Sequence, residues 1–354
     1  MEILADMTIQ KIRESKIQEV DFENLEFGKY ISDHMLVCDY EYGHWNIPHI
    51  VPVGNLSLHP ATLALHYGQT VFEGMKAFRM QDGRINIFRI DKHYDRLAKS
   101  LDRMCMAVPP KEIFEEGLKK LVELDMEWVP KKAGQALYLR PFVYASEAKF
   151  GIKISEQYRF VIFTGPVAEL YTQPIKVKVE QQYTRAAKGG TGFAKCGGNY
   201  GGAYYPTKLA REQGYNQVLW TDGRENKFIE ESGSMNVVFV INNKIITAPL
   251  SDSILDGITR DSLIRLAATM GIAVEERPIA VDELESAFQN GFITEAFGAG
   301  TAAVVAPIQL IGIDGIDYTL PDYNDNSLHR ILKQKLENIR KGIEQDIFEW
   351  NHIV

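Results

Sequence analysis

The chain has 354 residues, 45% of them hydrophobic and 24% charged, the make-up of an ordinary soluble globular protein. Its length exceeds a typical single core, so two domains are expected. A formal net charge of -8 and a pI near 5.6 exclude a broad basic face for nucleic acid or for an anionic membrane, while allowing a local basic pocket.

From the N-terminus, Met1-Glu-Ile-Leu-Ala-Asp6 has no basic region followed by an apolar core, so no secretory leader is expected. The portion to about residue 165 alternates strand-like and helix-like patterns. Asp91 is the expected cap of a helix with Tyr94, Leu97, Leu101 and Met104 on one face. Lys92, Arg96, Lys99 and Arg103 lie elsewhere on that helix, and their ordinary reading is a solvated basic face. Pro109-Pro110 ends the element, and 113–122 forms a second amphipathic helix. Ala136-Leu-Tyr-Leu-Arg140 and Tyr158-Arg-Phe-Val-Ile-Phe163 have the content of strands. Tyr138 and Arg140 then point to one side, because side chains alternate with period two, and a hydroxyl beside a guanidinium suits a carboxylate. Gly165 to Pro174, with two prolines and a glycine between strand patterns, reads as the interdomain connection.

Ile175-Lys-Val-Lys-Val179 alternates cleanly and opens the second domain. Then comes Arg185-Ala-Ala-Lys-Gly-Gly-Thr-Gly-Phe-Ala-Lys195-Cys-Gly-Gly-Asn-Tyr200, where glycines bracket Lys195 and let backbone approach a ligand closely. It is not a Walker loop, since Ala194 precedes the lysine and Cys196 follows it. A dinucleotide fingerprint fails too, because Lys195 stands where the third glycine belongs. The remaining chemical use is a nucleophilic amine forming a Schiff base with a carbonyl or with pyridoxal phosphate; composition alone does not establish it, since most lysines are solvated.

Gly201 through Gln213 reads as a helix ended by Gly214. Segments 217–220, 236–241 and 244–247 read as strands, the last two joined by an Asn242-Asn243 turn. Gly257-Ile-Thr259 opens a helix closed by Gly271, and a helix start with a glycine and a threonine hydroxyl suits an oxyanion. A short helix over 282–290 precedes a strand over 292–297 that runs into a Gly298-Ala-Gly-Thr301 turn. Leu328, Ile331, Leu332, Leu336, Ile339 and Ile343 form the stripe of a packed terminal helix. No apolar run nears the roughly 18 residues of a membrane span. Cys38, Cys105 and Cys196 fit a reducing compartment rather than a disulfide framework. No histidine pair or Cys/His cluster has metal-ligand spacing, so a cytoplasmic protein without a metal site is expected.

Lys195-Cys-Gly-Gly-Asn-Tyr200, Glu231-Ser-Gly-Ser-Met-Asn236, Leu255-Asp-Gly-Ile-Thr-Arg260 and Phe297-Gly-Ala-Gly-Thr-Ala-Ala303 together resemble the branched-chain amino-acid aminotransferases, fold-type IV pyridoxal-phosphate enzymes. His66-Tyr-Gly-Gln-Thr-Val-Phe-Glu-Gly-Met-Lys-Ala-Phe78 and Leu137-Tyr-Leu-Arg-Pro141 continue the resemblance over nearly the whole chain. It implies a two-domain, mixed α/β fold with the cofactor in the interdomain cleft. The expected boundaries are a smaller N-terminal domain over 1–168, a linker over 169–182 and a larger cofactor-binding domain over 183–354.

By the same resemblance Lys195 carries pyridoxal 5'-phosphate as a Schiff base and serves as the catalytic base. Glu231 pairs with the pyridine nitrogen, Tyr200 contacts the phenolic oxygen, and Arg96, Ile258, Thr259 and Thr301 cradle the phosphate, with Arg185 nearby. The backbone of the Thr301-Ala302-Ala303 turn holds the substrate α-carboxylate, and Tyr67, Phe72, Tyr138 and Arg140 line the side-chain pocket. The implied reaction is reversible transfer of the amino group of L-leucine, L-isoleucine or L-valine to 2-oxoglutarate, the last step of branched-chain synthesis or the first of degradation, by a homodimer. Ala303-Val-Val-Ala306 stands where some mammalian members carry a Cys-x-x-Cys pair, so no thiol switch of that kind is expected. Rival readings are a D-amino-acid aminotransferase or aminodeoxychorismate lyase of the same fold, or an inactive interaction protein; the Phe72-Glu-Gly-Met-Lys76 wording favours the branched-chain branch.

Overall fold

The computed structural model describes residues 7–354; the opening Met1 to Asp6, read above for a leader, lies outside the described residues. The chain divides into two compact units, one of Met1–Leu170, Ala194–Gly198 and Ile339–Val354, the other of Tyr171–Phe193 and Asn199–Asn338. This division differs from the expected boundaries. Residues 169–182 include an inner strand of the second unit rather than a free connection, and both the lysine segment and the C-terminus group with the first unit.

In the first unit, strands β1 (Thr8–Ile9), β2 (His34–Glu41), β3 (His44–Trp45), β4 (His49–Pro52), β5 (Thr70–Phe72), β6 (Met75–Arg79), β7 (Ile85–Phe88), β8 (Ala136–Ala145), β9 (Tyr158–Val167) and the terminal strand Asn351–Ile353 form a ten-stranded sheet. Its main path runs β1-β4-β2-β9-β8-β6-β7 and then Asn351–Ile353, with β5 on β8 and β3 on β2. The unit also holds helices α1 (Leu63–Tyr67), α2 (Ile90–Arg103) and α3 (Lys111–Leu124).

Helix α2 follows Arg89, whose φ of 54° turns the chain out of β7. Asp91 is not its cap; it sits in the first turn and pairs with Lys111 at 3.1 Å. Ile90, Leu97 and Leu101 are fully buried, each contributing about 2 kcal/mol of hydrophobic stabilisation. Helical spacing puts His93, Arg96 and Ser100 on that same buried side. Arg96 is 7% exposed, so of the four basic residues only Lys92, Lys99 and Arg103 lie on the solvated face.

The second unit's sheet comprises β10 (Ile175–Glu180), β11 (Gln217–Thr221), β12 (Ile229–Ser232), β13 (Met235–Ile241), β14 (Lys244–Thr247), β15 (Val274–Glu276), β16 (Ile293–Gly300), β17 (Val304–Ile313) and β18 (Ile316–Thr319). The order is β12-β11-β10-β17-β16-β13-β14-β15, with β18 on β17, and β12 pairs with β13 as well. That second pairing closes six strands into a ring around Val177, Leu219, Val237, Phe239, Ala306 and Ile308. Its helices are α4 (Gly198–Gly201), which begins in the lysine segment, α5 (Tyr204–Glu212), α6 (Ile258–Thr269), α7 (Val281–Gln289) and α8 (Leu328–Arg340).

Three local readings change. The helix expected from Gly201 begins three residues later, as α5 from Tyr204, and the short α4 lies just before it. Strand β16 runs on through Gly300, because Gly298 and Gly300 pack against the Met235 side chain, and a Cβ at 298 would stand 2.6 Å from Met235 Cε. The tight turn is therefore Thr301 to Ala303. Helix α8 stops at Arg340, leaving Ile343 out of the buried stripe. Asn242 and Asn243, with φ of 51° and 59°, make the hairpin turn their residue type favours. No helix among the described residues is long and apolar enough to cross a membrane.

Candidate functional site

In the first unit the site is built on the short strand β5. One edge pairs with β8, Phe72 opposite Phe142. The other edge receives the lysine segment: Val71 bridges to Cys196, Phe72 N–H donates to Lys195 C=O at 3.0 Å, and Gly197 N–H donates to Thr70 C=O at 3.1 Å. The approach is so close that a Cβ at 197 would overlap Thr70 Oγ1, which is why a glycine follows. A third tether, Lys195 N–H to Ser100 Oγ at 3.0 Å, reaches α2. Lys195 is thus added to β5 like an extra strand, and its Nζ lies 4.9 Å from the Phe72 ring centroid.

The same ring has the Arg140 guanidinium at 4.8 Å. Arg140 and Tyr138 share one side of β8, as their spacing predicts, and Arg140 Nη2 donates to the Tyr138 hydroxyl at 3.1 Å. Arg140 Nε is buried with no hydrogen-bond partner among the described residues. Gly74 is needed here because a side chain would overlap the Tyr138 hydroxyl. Phe27 packs edge-on against the Tyr138 ring at 5.0 Å. Tyr67 stands apart on α1, half-exposed, with its ring 4.4 Å from that of His66.

Arg96 is held by Glu73. Its Nε donates to Oε1 at 2.7 Å and its Nη2 to Oε2 at 2.8 Å, while His93 Nδ1 lies 2.7 Å from Oε2. Burial alone would raise the Glu73 carboxyl, but the Arg96 charge, its hydrogen bonds and His93 hold it well below the usual carboxylate range. An ionised carboxylate only accepts, so His93 Nδ1 carries the proton in this pair. Burial pushes the His93 imidazolium pKa down, outweighing the Glu73 charge.

In the second unit Glu231, on β12, is buried and accepts from Arg185 Nη2 at 2.7 Å, Asn236 Nδ2 at 3.1 Å and Leu255 N–H at 3.2 Å. Arg185 also donates to the carbonyls of Gly192, at 3.3 Å, and Ser253. Neighbouring Glu230 takes the Ser253 hydroxyl instead, and burial raises its carboxyl above the ordinary value. The two adjacent glutamates therefore differ in kind, with the cation on Glu231. Asn236 donates to Leu255 C=O at 2.9 Å, and a Cβ on Gly257 would overlap its Oδ1. Glycine at the N-cap of α6 so allows Ile258 and Thr259 to open that helix, where the backbone favours an anion. Thr301, Ala302 and Ala303 form the β16–β17 turn, closed by Val304 at φ 59°. Tyr200 lies in α4, half-buried.

The structure gathers Phe72, Arg96, Tyr138, Arg140 and Lys195 in the first unit, and Arg185 with Glu231 in the second. Glu73, Ser100, Asn236 and Phe27 carry contacts to these residues that no local pattern announced. Glu73 lay inside the Phe72-Glu-Gly-Met-Lys76 wording, but its partner stands 23 residues on. Among the described residues no group of three His, Cys, Asp or Glu side chains is arranged for a metal ion.

A model of the family described as amino-transferase class IV matches residues 70–311. Branched-chain-amino-acid transaminase 1 of Bacillus subtilis (strain 168) is 44% identical over 338 residues, covering 94% of this chain and 95% of that protein. The branched-chain aminotransferase of Thermoproteus uzoniensis, solved with norvaline, superposes with a TM-score of 0.75 at 24% identity, over 90% of this chain and 99% of that one. The branched-chain amino acid aminotransferase of Thermobaculum terrenum, solved in its PLP form, gives 0.73 at 21% identity, over 90% and 97%. These two share the fold, and the family match and the Bacillus relative go further: the chain belongs to the class IV aminotransferases.

Proposed function

We propose that the chain is a branched-chain amino-acid transaminase, moving the amino group of L-leucine, L-isoleucine or L-valine to 2-oxoglutarate with pyridoxal 5'-phosphate as cofactor. The observation that carries this is Lys195, tethered to β5 through its backbone, with its amine 4.9 Å from a Phe72 ring that also has Arg140 at 4.8 Å. An amine nucleophile beside an apolar wall with one guanidinium–phenol pair suits a substrate that is apolar in one half-reaction and carries a second carboxylate in the other. The name of the Bacillus relative supports the substrate class, and the PLP form of the Thermobaculum protein supports the cofactor.

The donor chemistry fits that cofactor: an amine for its aldehyde, an arginine and a helix N-terminus for its phosphate, and a buried carboxylate backed by a cation for its ring nitrogen. When bound, it supplies an electron sink for charge developing at the substrate Cα. In this reading Lys195 holds it through Nζ and moves the proton at the substrate Cα. Arg96, Ile258, Thr259 and Thr301 hold the phosphate, Tyr200 the phenolic oxygen, and Glu231, with Arg185 behind it, the pyridine nitrogen. Backbone at Ala302 and Ala303 takes the α-carboxylate. Tyr67, Phe72 and Tyr138 line the side-chain pocket, where Arg140 and Tyr138 take the second carboxylate of glutamate.

The proposal includes a homodimer and a cytoplasmic location. A dimer is supported by Phe150 and Ile152, 93% and 91% exposed on one loop, since large apolar side chains so placed mark interaction surfaces. The location is supported by three cysteines that all remain free thiols. The test is the visible spectrum of the purified protein before and after L-leucine. A yellow band that bleaches on addition is expected. A band indifferent to leucine would move the substrate to the D-amino-acid or lyase branch, and no band after added pyridoxal phosphate would sink the reading.

A further inference from the structure

Glu73 has no part in the roles above, yet it is fully buried and collects four donors: Arg96 Nε and Nη2, His93 Nδ1 and, at 3.1 Å, its neighbour's Gly74 N–H. A carboxylate taken from water is costly unless paired and hydrogen-bonded in this way. The two Arg96 bonds use both carboxylate oxygens against one edge of the guanidinium, which sets the plane and direction of an otherwise flexible side chain.

The turn that carries Glu73 also fixes the lysine. Phe72 N–H holds Lys195 C=O, Lys195 N–H reaches Ser100 Oγ, and Ser100 Oγ donates to Arg96 C=O at 2.8 Å. The circuit Phe72, Glu73, Arg96, Ser100, Lys195 closes on itself within one unit. One turn of chain therefore sets both the guanidinium and the backbone from which the Lys195 side chain springs.

We propose that Glu73 is a positioning residue: through its paired bonds to Arg96 it holds the guanidinium in the orientation that binds the cofactor phosphate, at a fixed offset from Lys195. This rests on the reading of Arg96 as a phosphate anchor. Orienting the anchor beforehand removes an ordering cost from binding. Glu73 contributes to affinity for the phosphate without touching it.

The test is titration of full-length apoenzyme with pyridoxal 5'-phosphate and, separately, with pyridoxal, which lacks the phosphate, followed by protein fluorescence. Glu73→Gln is expected to weaken the phosphorylated ligand about 10- to 100-fold and to leave pyridoxal within about twofold. Glu73→Asp keeps the charge and the fold but shortens the reach, so it is expected to give a smaller loss of the same kind. Arg96→Gln is expected to match Glu73→Gln, and the double variant to lose little beyond either single one, because the two act as a unit.

Unchanged affinity for pyridoxal phosphate in Arg96→Gln would remove the anchor on which the inference stands. A phosphate-specific loss in Arg96→Gln with none in either Glu73 variant would overturn the positioning role and leave the anchor. Equal losses of both ligands in the Glu73 variants, or fully additive losses in the double variant, would reduce Glu73 to a structural counter-ion.

Discussion

Arg185 Nη2 and Glu231 Oε2 lie 2.7 Å apart, with side-chain exposures of 10% and 4%. Arg185 therefore acts on the carboxylate and on the loops at Gly192 and Ser253, and through Glu231 it bears on whatever that carboxylate binds. Removing the cation leaves a buried charge without its partner. Arg185→Gln is expected to lower stability by about 3–5 kcal/mol, read from urea unfolding at neutral pH. A loss under about 1 kcal/mol would show that Glu231 does not depend on this pair.

Lys195 keeps its place through backbone hydrogen bonds on both sides, which a change of side chain does not touch. Lys195→Ala is accordingly expected to unfold within a few degrees of the parent, while transamination of L-leucine falls by about a thousandfold or more. Substantial residual turnover would sink the assignment of this amine.

Gly257 sits where a Cβ would overlap Asn236 Oδ1. Asn236 in turn braces Glu231 and Leu255. Gly257→Ala is expected to cost about 1–3 kcal/mol and to weaken binding of pyridoxal phosphate by displacing the start of α6. Thermal melts and a cofactor titration on one sample check both parts; an unchanged melting temperature would show that the turn has room to yield.

His93 is buried, and burial lowers its pKa from 6.5. The folded state then binds fewer protons than the unfolded chain, so stability is complete above the unfolded value and declines as pH falls through about 6.5 toward the folded value. Glu73, also depressed, adds a loss in the same direction at more acid pH. His93→Gln removes the imidazole while retaining a donor for Glu73. Its unfolding free energy is expected to depend less on pH between 7 and 5 than the parent's, and parallel curves would contradict the argument.

Ile152 is 91% exposed beside Phe150. If this loop is covered in a dimer, Ile152→Asp introduces a charge into the apolar centre of the contact. Light scattering is expected to give the parent about twice the chain mass of 40.1 kDa and the variant a dilution-dependent shift toward one chain. An unchanged mass would free this loop from the interface.

Much of the fold was legible because its signals are local. The alternation that places Tyr138 and Arg140 on one side of β8, and the Asn242-Asn243 turn, follow from strand periodicity and from the residue types that tolerate positive φ. Family wording in the Lys195, Glu231 and Gly257 segments set these residues apart from others of their type. The same locality explains the failures. By pattern alone Arg96 read as a solvated cation, and only the family resemblance set it apart, because its partner, Glu73, is distant in sequence; the glycines of the Gly298 segment read as a turn because the Met235 side chain they accommodate lies on another strand.

The sequence by itself determined which chemical groups are present, their order, and the elements that carry them, since propensity, periodicity and turn chemistry act over a few residues. Only the tertiary structure decided their pairing: Lys195 joined to the edge of β5, Arg96 oriented by Glu73, and Glu231 rather than Glu230 given to Arg185. Those outcomes depend on burial and charge compensation between segments far apart in the chain, where the cost of an unpaired buried ion selects the partner.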